Sequence, residues 1–116
     1  MSEVADCLFC RFVSGELQPD VVHETKSTLA FRDINPQAPT HVLVIPKAHH
    51  PDVVTLGDRA PDELADLFDV VRQVVEAEQL GEGYRVVFNT GPGAGQTVSH
   101  AHGHVLGGRV LTWPPG

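Results

Sequence analysis

One segment constrains the architecture more than any other. Over residues 61–79, Leu64, Leu67, Phe68, Val71, Val74 and Val75 recur at helical spacing. Pro61 suits the first helical position, and Gly81 lies just past the end. A helix with one apolar face has to bury that face, and the segments left to cover it read as short strands. Residues 21–24 and 28–32 form two of them, with Thr25-Lys26-Ser27 as the turn. Residues 41–46 make an apolar, β-branched run with the look of a buried strand, and residues 84–89 and 99–106 add two more. The long helix therefore lies on a sheet, and its apolar stripe is core. A short helix over 7–14, capped by Asp6 and stopped by Gly15, puts Leu8, Phe9 and Phe12 on one face. Two prolines keep 33–39 irregular, and Gly91-Pro92-Gly93-Ala94-Gly95 is a flexible turn. The order α-β-β-β-α-β-β predicts an α+β fold, an antiparallel meander with one long and one short helix on one side. At 116 residues the chain makes a single domain, 1–116, able to fold without disulfide or metal.

Charge narrows the partners. Eight Lys and Arg against fifteen Asp and Glu give a net charge of −7, which argues against nucleic acid. A small anionic ligand stays possible, because a local cluster of donors can hold a phosphate in an unfavourable global field. No stretch approaches the roughly 18 apolar residues of a membrane helix. Met1 to Asp6 carries neither a basic nor an apolar signal-peptide region, so a cytoplasmic protein is expected, with no membrane partner. There Cys7 and Cys10 would be reduced, and their CxxC spacing points to metal or redox chemistry before a disulfide.

The chemistry gathers in His100-Ala101-His102-Gly103-His104. In a strand the three imidazoles project from one face at steps of about 7 Å, while the small Ala101 and Gly103 turn toward something packed closely behind. Three imidazoles make an uneconomical core, since each brings two polar nitrogens that need partners. Two readings follow: a three-histidine metal site, or phosphoryl transfer with a histidine nucleophile. Immediately upstream lie three glycines and the donors Gln96 and Thr97, with Asn89 just before them. Glycine lets backbone N–H groups approach a phosphate closely, and a metal site has no use for such a cradle.

With these motifs in place, the chain resembles the histidine triad (HIT) family, in particular its HINT branch of nucleoside phosphoramidases. The triad His100-Ala-His102-Gly-His104-Val-Leu carries the resemblance, with Asp33-Ile-Asn-Pro-Gln-Ala-Pro-Thr-His41, Leu43-Val-Ile-Pro-Lys47 and Gly83-Tyr-Arg-Val-Val. Asn89-Thr-Gly, Gly95-Gln96-Thr97 and the ending Trp113-Pro-Pro-Gly116 extend it over nearly the whole chain.

The resemblance implies a sheet continued across a homodimer and a purine nucleoside monophosphate or phosphoramidate in a cleft on that sheet. It implies that His102 attacks the α-phosphorus of an adenosine 5′-phosphoramidate, giving a nucleotidyl-histidine that water hydrolyses to AMP. A triad-strand carbonyl would fix its tautomer. His104, Asn89 and the segment Gly95, Gln96, Thr97 match positions that hold phosphate oxygens, with Thr97 near the leaving group. His41 matches a proton-relay histidine behind the triad, and Asp33 the carboxylate that accepts the ribose hydroxyls. Leu8, Phe9, Phe12, Leu17, Phe31, Ile34 and Leu43 match an apolar slot for the base. Some relatives coordinate structural zinc at Cys7, Cys10, His49 and His100, which makes His100 a scaffold residue of the triad; no organic cofactor is implied. His23 and His50 read as surface residues. The tail 108–116 would cross the dimer interface and bring Trp113 to the partner's active site. The family alternatives are a dinucleoside polyphosphate hydrolase or a nucleotidyl transferase. Outside them stand a nucleotide-binding interaction module and a zinc hydrolase using all three histidines.

Overall fold

The computed structural model describes residues 6–116, so the reading of the first residues as lacking a signal peptide falls largely outside them. The order is α1 (Leu8–Ser14), β1 (Val21–Glu24), β2 (Thr28–Arg32), β3 (Thr40–Pro46), α2 (Val53–Arg59), α3 (Pro61–Ala77), β4 (Tyr84–Phe88), a 3-10 turn (Pro92–Ala94) and β5 (Gly103–Gly107). The five strands form one antiparallel sheet in the order β1-β2-β3-β5-β4. The first three strands make the expected meander. The helical excursion through α2 and α3 then carries the chain past β3, leaving room for β5 to insert between β3 and β4. β4 is left as an edge strand.

The period-2 alternation of the strands sorts their side chains onto two faces. Ala30, Val42, Val44, Ala101 and Val105 face α2 and α3, packing with Leu56, Leu67, Val70, Val71 and Val74. Leu29, Phe31, Leu43 and Ile45 face the other way and pack with Cys7 and Phe9 of the α1 region. The helices thus occupy both faces rather than one, because the apolar edge of α1 meets the opposite set of strand residues from that met by α3.

Three local readings change. Cys7, not Asp6, caps α1, its sulfur accepting from the Cys10 backbone N–H at 3.3 Å. A further helix, α2, starts at an Asp52 cap bonded to the Thr55 N–H at 2.8 Å; its Val-Val-Thr start at Val53 does not announce a helix. β5 begins at Gly103, so His100, at a bend, and His102 both precede the paired strand.

Two polar ties fix α3 to the sheet. Asp66 accepts hydroxyl hydrogen bonds from Thr25, Ser27 and Thr28 at 2.6, 2.9 and 2.7 Å, and these donors hold its carboxyl below the usual carboxylate range. Arg32 forks onto Glu78 at 2.6 and 3.1 Å. Among the described residues no helix is long and apolar enough to cross a membrane.

Candidate active site and metal cluster

The histidines collect on the α1 face. His104 pairs with Leu43 across β3 and β5, and the Phe9 ring lies 5.9 Å from His100 and 5.0 Å from His102. Behind them the expected close packing is present: a Cβ on Gly103 would meet the Phe88 ring at 2.8 Å, so a side chain there would have to displace that ring. His100 is fully buried, His102 is nearly so and His104 is half-buried.

Hydrogen bonds assign each ring a different job. His102 Nδ1 lies 2.8 Å from the His100 carbonyl, which only accepts, so Nδ1 carries the proton and Nε2 keeps its lone pair. His41 Nδ1 accepts from the Gln37 backbone N–H at 3.0 Å, which puts its proton on Nε2. That Nε2 donates to His104 Nδ1 at 2.8 Å, leaving His104 with Nε2–H as a donor. Burial, with His102 and His41 close by, pushes the His104 pKa down to about 4; burial also lowers His41, against the pull of Asp33. His104 is therefore a neutral donor at pH 7.

His100 works on a different set. Its Nε2 donates to the Pro46 carbonyl at 2.7 Å, and its Nδ1 lone pair lies 3.3 Å from Cys7 Sγ and 3.5 Å from Cys10 Sγ. His49 Nδ1 is 3.3 Å from Cys10 Sγ, and the four ligand atoms lie within 4.8 Å of one another. Two sulfurs and two imidazole nitrogens, one oriented by a carbonyl behind it, are a borderline-metal donor set, and the residues fit a tetrahedral ion. The same geometry removes the three-histidine metal site: His100 Nδ1 faces the thiols and His104 Nδ1 faces His41, so the triad does not converge on one point.

The remaining expected residues divide. Asp33 accepts from the Asn35 N–H at 2.8 Å through Oδ1, with Oδ2 3.5 Å from His41 Nε2. Phe9, Phe31 and Leu43 are core, and Phe12 packs beside them. Leu8, Leu17 and Ile34 are exposed, Ile34 fully. Asn89 is half-buried with a side chain that bonds to nothing among the described residues. Thr97 and Gly95 are exposed on the loop before the triad. Gln96 departs from the expected free donor, because its amide bonds Gly91, Pro51 and Val98 at 2.8, 2.7 and 3.0 Å. The backbone N–H groups of Thr97, Val98 and Ser99 have no acceptor among the described residues. His50 is not the expected surface residue; its side chain is largely buried, 3.5 Å from Glu63. Trp113 stands exposed on the tail. A groove of about 1130 Å³ lies away from the histidines, between the end of α3, the start of β4 and residues 108–111.

The five-stranded antiparallel α+β sheet that carries these histidines is a fold shared with solved HIT family structures. The HIT domain model matches residues 14–111, and the chain belongs to that family. It is 47% identical over all 116 residues, the full length of both, to an uncharacterized HIT-like protein of Synechococcus elongatus. It is also 45% identical to a 14 kDa zinc-binding protein of Zea mays, over 94% of this chain and 87% of that one. A crystal structure of a HIT family hydrolase from Legionella pneumophila superposes with a TM-score of 0.90 at 50% identity, covering 95% of this chain and 99% of the other.

Proposed function

We propose that this protein is a purine nucleoside phosphoramidase, working through a nucleotidyl-histidine on His102. The observation that carries it is the bond from His102 Nδ1–H to the His100 carbonyl, which leaves Nε2 unprotonated and nucleophilic. In the first step Nε2 bonds to the α-phosphorus, and the P–N electron pair leaves with the amine, which takes up a proton. The ring in the adduct is cationic, and the His100 carbonyl then accepts a charge-assisted hydrogen bond. Water then attacks the phosphorus, the P–Nε2 electron pair returns to His102, and the proton that water gives up balances the one taken by the amine, releasing AMP and neutral His102. His104 Nε2–H, the Asn89 amide, Thr97 and the backbone around Gly95 and Thr97 supply neutral donors for the charge that develops on the phosphate oxygens. The hydrolase name of the Legionella relative supports the class of reaction.

We read Asp33, which accepts from the Asn35 N–H, as the acceptor of the ribose hydroxyls, and exposed Ile34, Leu8 and Leu17 with buried Phe9, Phe31 and Leu43 and partly buried Phe12 as apolar surface for a base. Zinc suits the cluster of Cys7, Cys10, His49 and His100, as the name of the maize relative suggests for that protein. The ion would brace α1 against the triad and leave His102 free. The single domain is read as half of a cytoplasmic homodimer, joined along the free edge of β4 with tail 108–116 and Trp113 reaching the partner.

The test is turnover of adenosine 5′-phosphoramidate, with AMP as product. His102→Gly is expected to lower kcat at least about 1000-fold, since the covalent route is lost, while AMP still binds. Retained activity in that variant rejects the nucleophile assignment.

A further inference from the structure

We propose that Gln96 is a positioning residue that sets the shape of the phosphate loop and does not itself contact phosphate. Its catalytic consequence rests on the phosphoramidase reading; its structural consequence rests on geometry alone. The side-chain amide has one acceptor and two N–H donors, and all three functions are engaged. Oε1 accepts from the Gly91 N–H at 2.8 Å, while Nε2 donates to the carbonyls of Pro51 at 2.7 Å and Val98 at 3.0 Å. The Gln96 backbone N–H donates back to the Gly91 carbonyl at 3.1 Å, closing a reciprocal pair around the turn Pro92–Ala94.

Those partners belong to three separate stretches: the exit of β4, the approach to His100, and the segment that follows His49 and His50. The last stretch already holds the triad elsewhere, through His100 Nε2–H to the Pro46 carbonyl and the Ala101 N–H to the His50 carbonyl at 2.7 Å. Residues 46–51 thus form a fixed wall, and Gln96 pins the phosphate loop to it. Immediately beyond the pin, the N–H groups of Thr97, Val98 and Ser99 have no acceptors among the described residues, which is the state a phosphate cradle requires. The Nε2 hydrogens cannot reach a phosphate oxygen without breaking a bond to Pro51 or Val98, and the remaining Oε1 lone pair would repel one. No other residue type of this length supplies two donors and an acceptor; Glu keeps only the acceptor and Ala nothing.

The experiment uses the full chain and the variants Gln96→Ala and Gln96→Glu, read by amide hydrogen exchange without ligand, AMP affinity and steady-state turnover. In Gln96→Ala the Gly91 amide is expected to exchange about tenfold faster, while β3 amides stay protected. In Gln96→Glu the oxygen that replaces Nε2 faces the carbonyls of Pro51 and Val98, so Gly91 is expected to exchange faster there too. Both variants are expected to lose about 10- to 100-fold in kcat, with KM changing less than about threefold, since misplaced donors fail chiefly in the transition state. If Gln96→Ala weakens AMP binding while ligand-free exchange is unchanged, Gln96 is a direct phosphate contact and the proposal is wrong. Faster Gly91 exchange with unchanged kcat would also overturn it, as would unchanged Gly91 exchange in Gln96→Ala. If the wild-type chain releases no AMP, the phosphoramidase reading falls, and the exchange measurements still decide whether Gln96 pins the loop.

Discussion

Two tight groups of titratable side chains sit on the same face of this sheet and differ in the way their histidines are held. Cys7, Cys10, His49 and His100 form one; Asp33, His41 and His104 form the other, and in each the candidate ligand atoms lie within 4.8 Å. Proximity alone would make both metal sites. The bond on the far side of each ring separates them. His100 gives its far proton to the Pro46 carbonyl, so the nitrogen facing the thiols has a free lone pair. His41 receives a proton-donating bond from the Gln37 N–H on its far nitrogen, so the nitrogen facing His104 and Asp33 is the protonated one. One backbone carbonyl prepares a ligand, and one backbone N–H prepares a proton donor. The triad draws on both groups, since His102 is bonded to the His100 main chain and its ring lies 5.2 Å from that of His104.

The largest effect expected from this contrast is on metal affinity. Without metal, burial and the neighbouring Cys7 push the Cys10 thiol up to about 11, so a zinc ion binding there would have to displace its proton. If both thiols give up protons, zinc affinity falls about 100-fold per pH unit on acidification, with two protons released per ion, measurable by titration in weakly buffered solution. Cys10→Ala should bring zinc content from about one per chain to none, whereas Asp33→Ala should leave it at one. Zinc retained in Cys10→Ala, or lost in Asp33→Ala, breaks the distinction. Next in size is the effect expected on turnover if the second group serves the proposed reaction. His41→Ala frees the His104 ring to choose either tautomer and should lower kcat about 10- to 100-fold with zinc content unchanged. A wild-type rate in that variant would show that His104 needs no help in presenting its proton.

Much of this arrangement was legible in the sequence. The helical period of Leu64, Leu67, Val71 and Val74 placed α3 on a sheet, and alternation put the triad imidazoles opposite Ala101 and Gly103, where the α3-side core and Phe88 do pack. Spacing could not say which nitrogen of each ring is protonated, because the deciding groups, the carbonyls of His100 and Pro46 and the N–H of Gln37, are backbone atoms present in every residue. The same limit explains Gln96: its residue type announces donors and acceptors, but only the fold shows that Gly91, Pro51 and Val98 consume them. Insertion of β5 between β3 and β4 depends on pairing between segments more than fifty residues apart, which local propensity does not encode. The α2 helix escaped because Val53, Val54 and Thr55 favour strands, and its Asp52 cap and buried Leu56 override them.

The smallest effect concerns the stability of the second group. The His104 pKa falls from an ordinary 6.5 to about 4 in the fold, so between those values the unfolded chain binds a proton that the folded chain refuses. Stability from this group is therefore full above pH 6.5 and is lost as the pH drops toward 4. Allowing for the half-exposed position of the ring, the loss should be of order 2 kcal/mol. Thermal melts of the wild type and His104→Asn, both in excess chelator so that metal release adds nothing, should diverge at pH 7 and converge toward pH 4.5. Asparagine has no such proton to take up, so its melting temperature should depend less on pH over this window. Parallel pH curves would mean that His104 takes up its proton as readily in the fold as outside it, and the contrast between a ligand-making and a donor-making environment would then rest on the metal measurements alone.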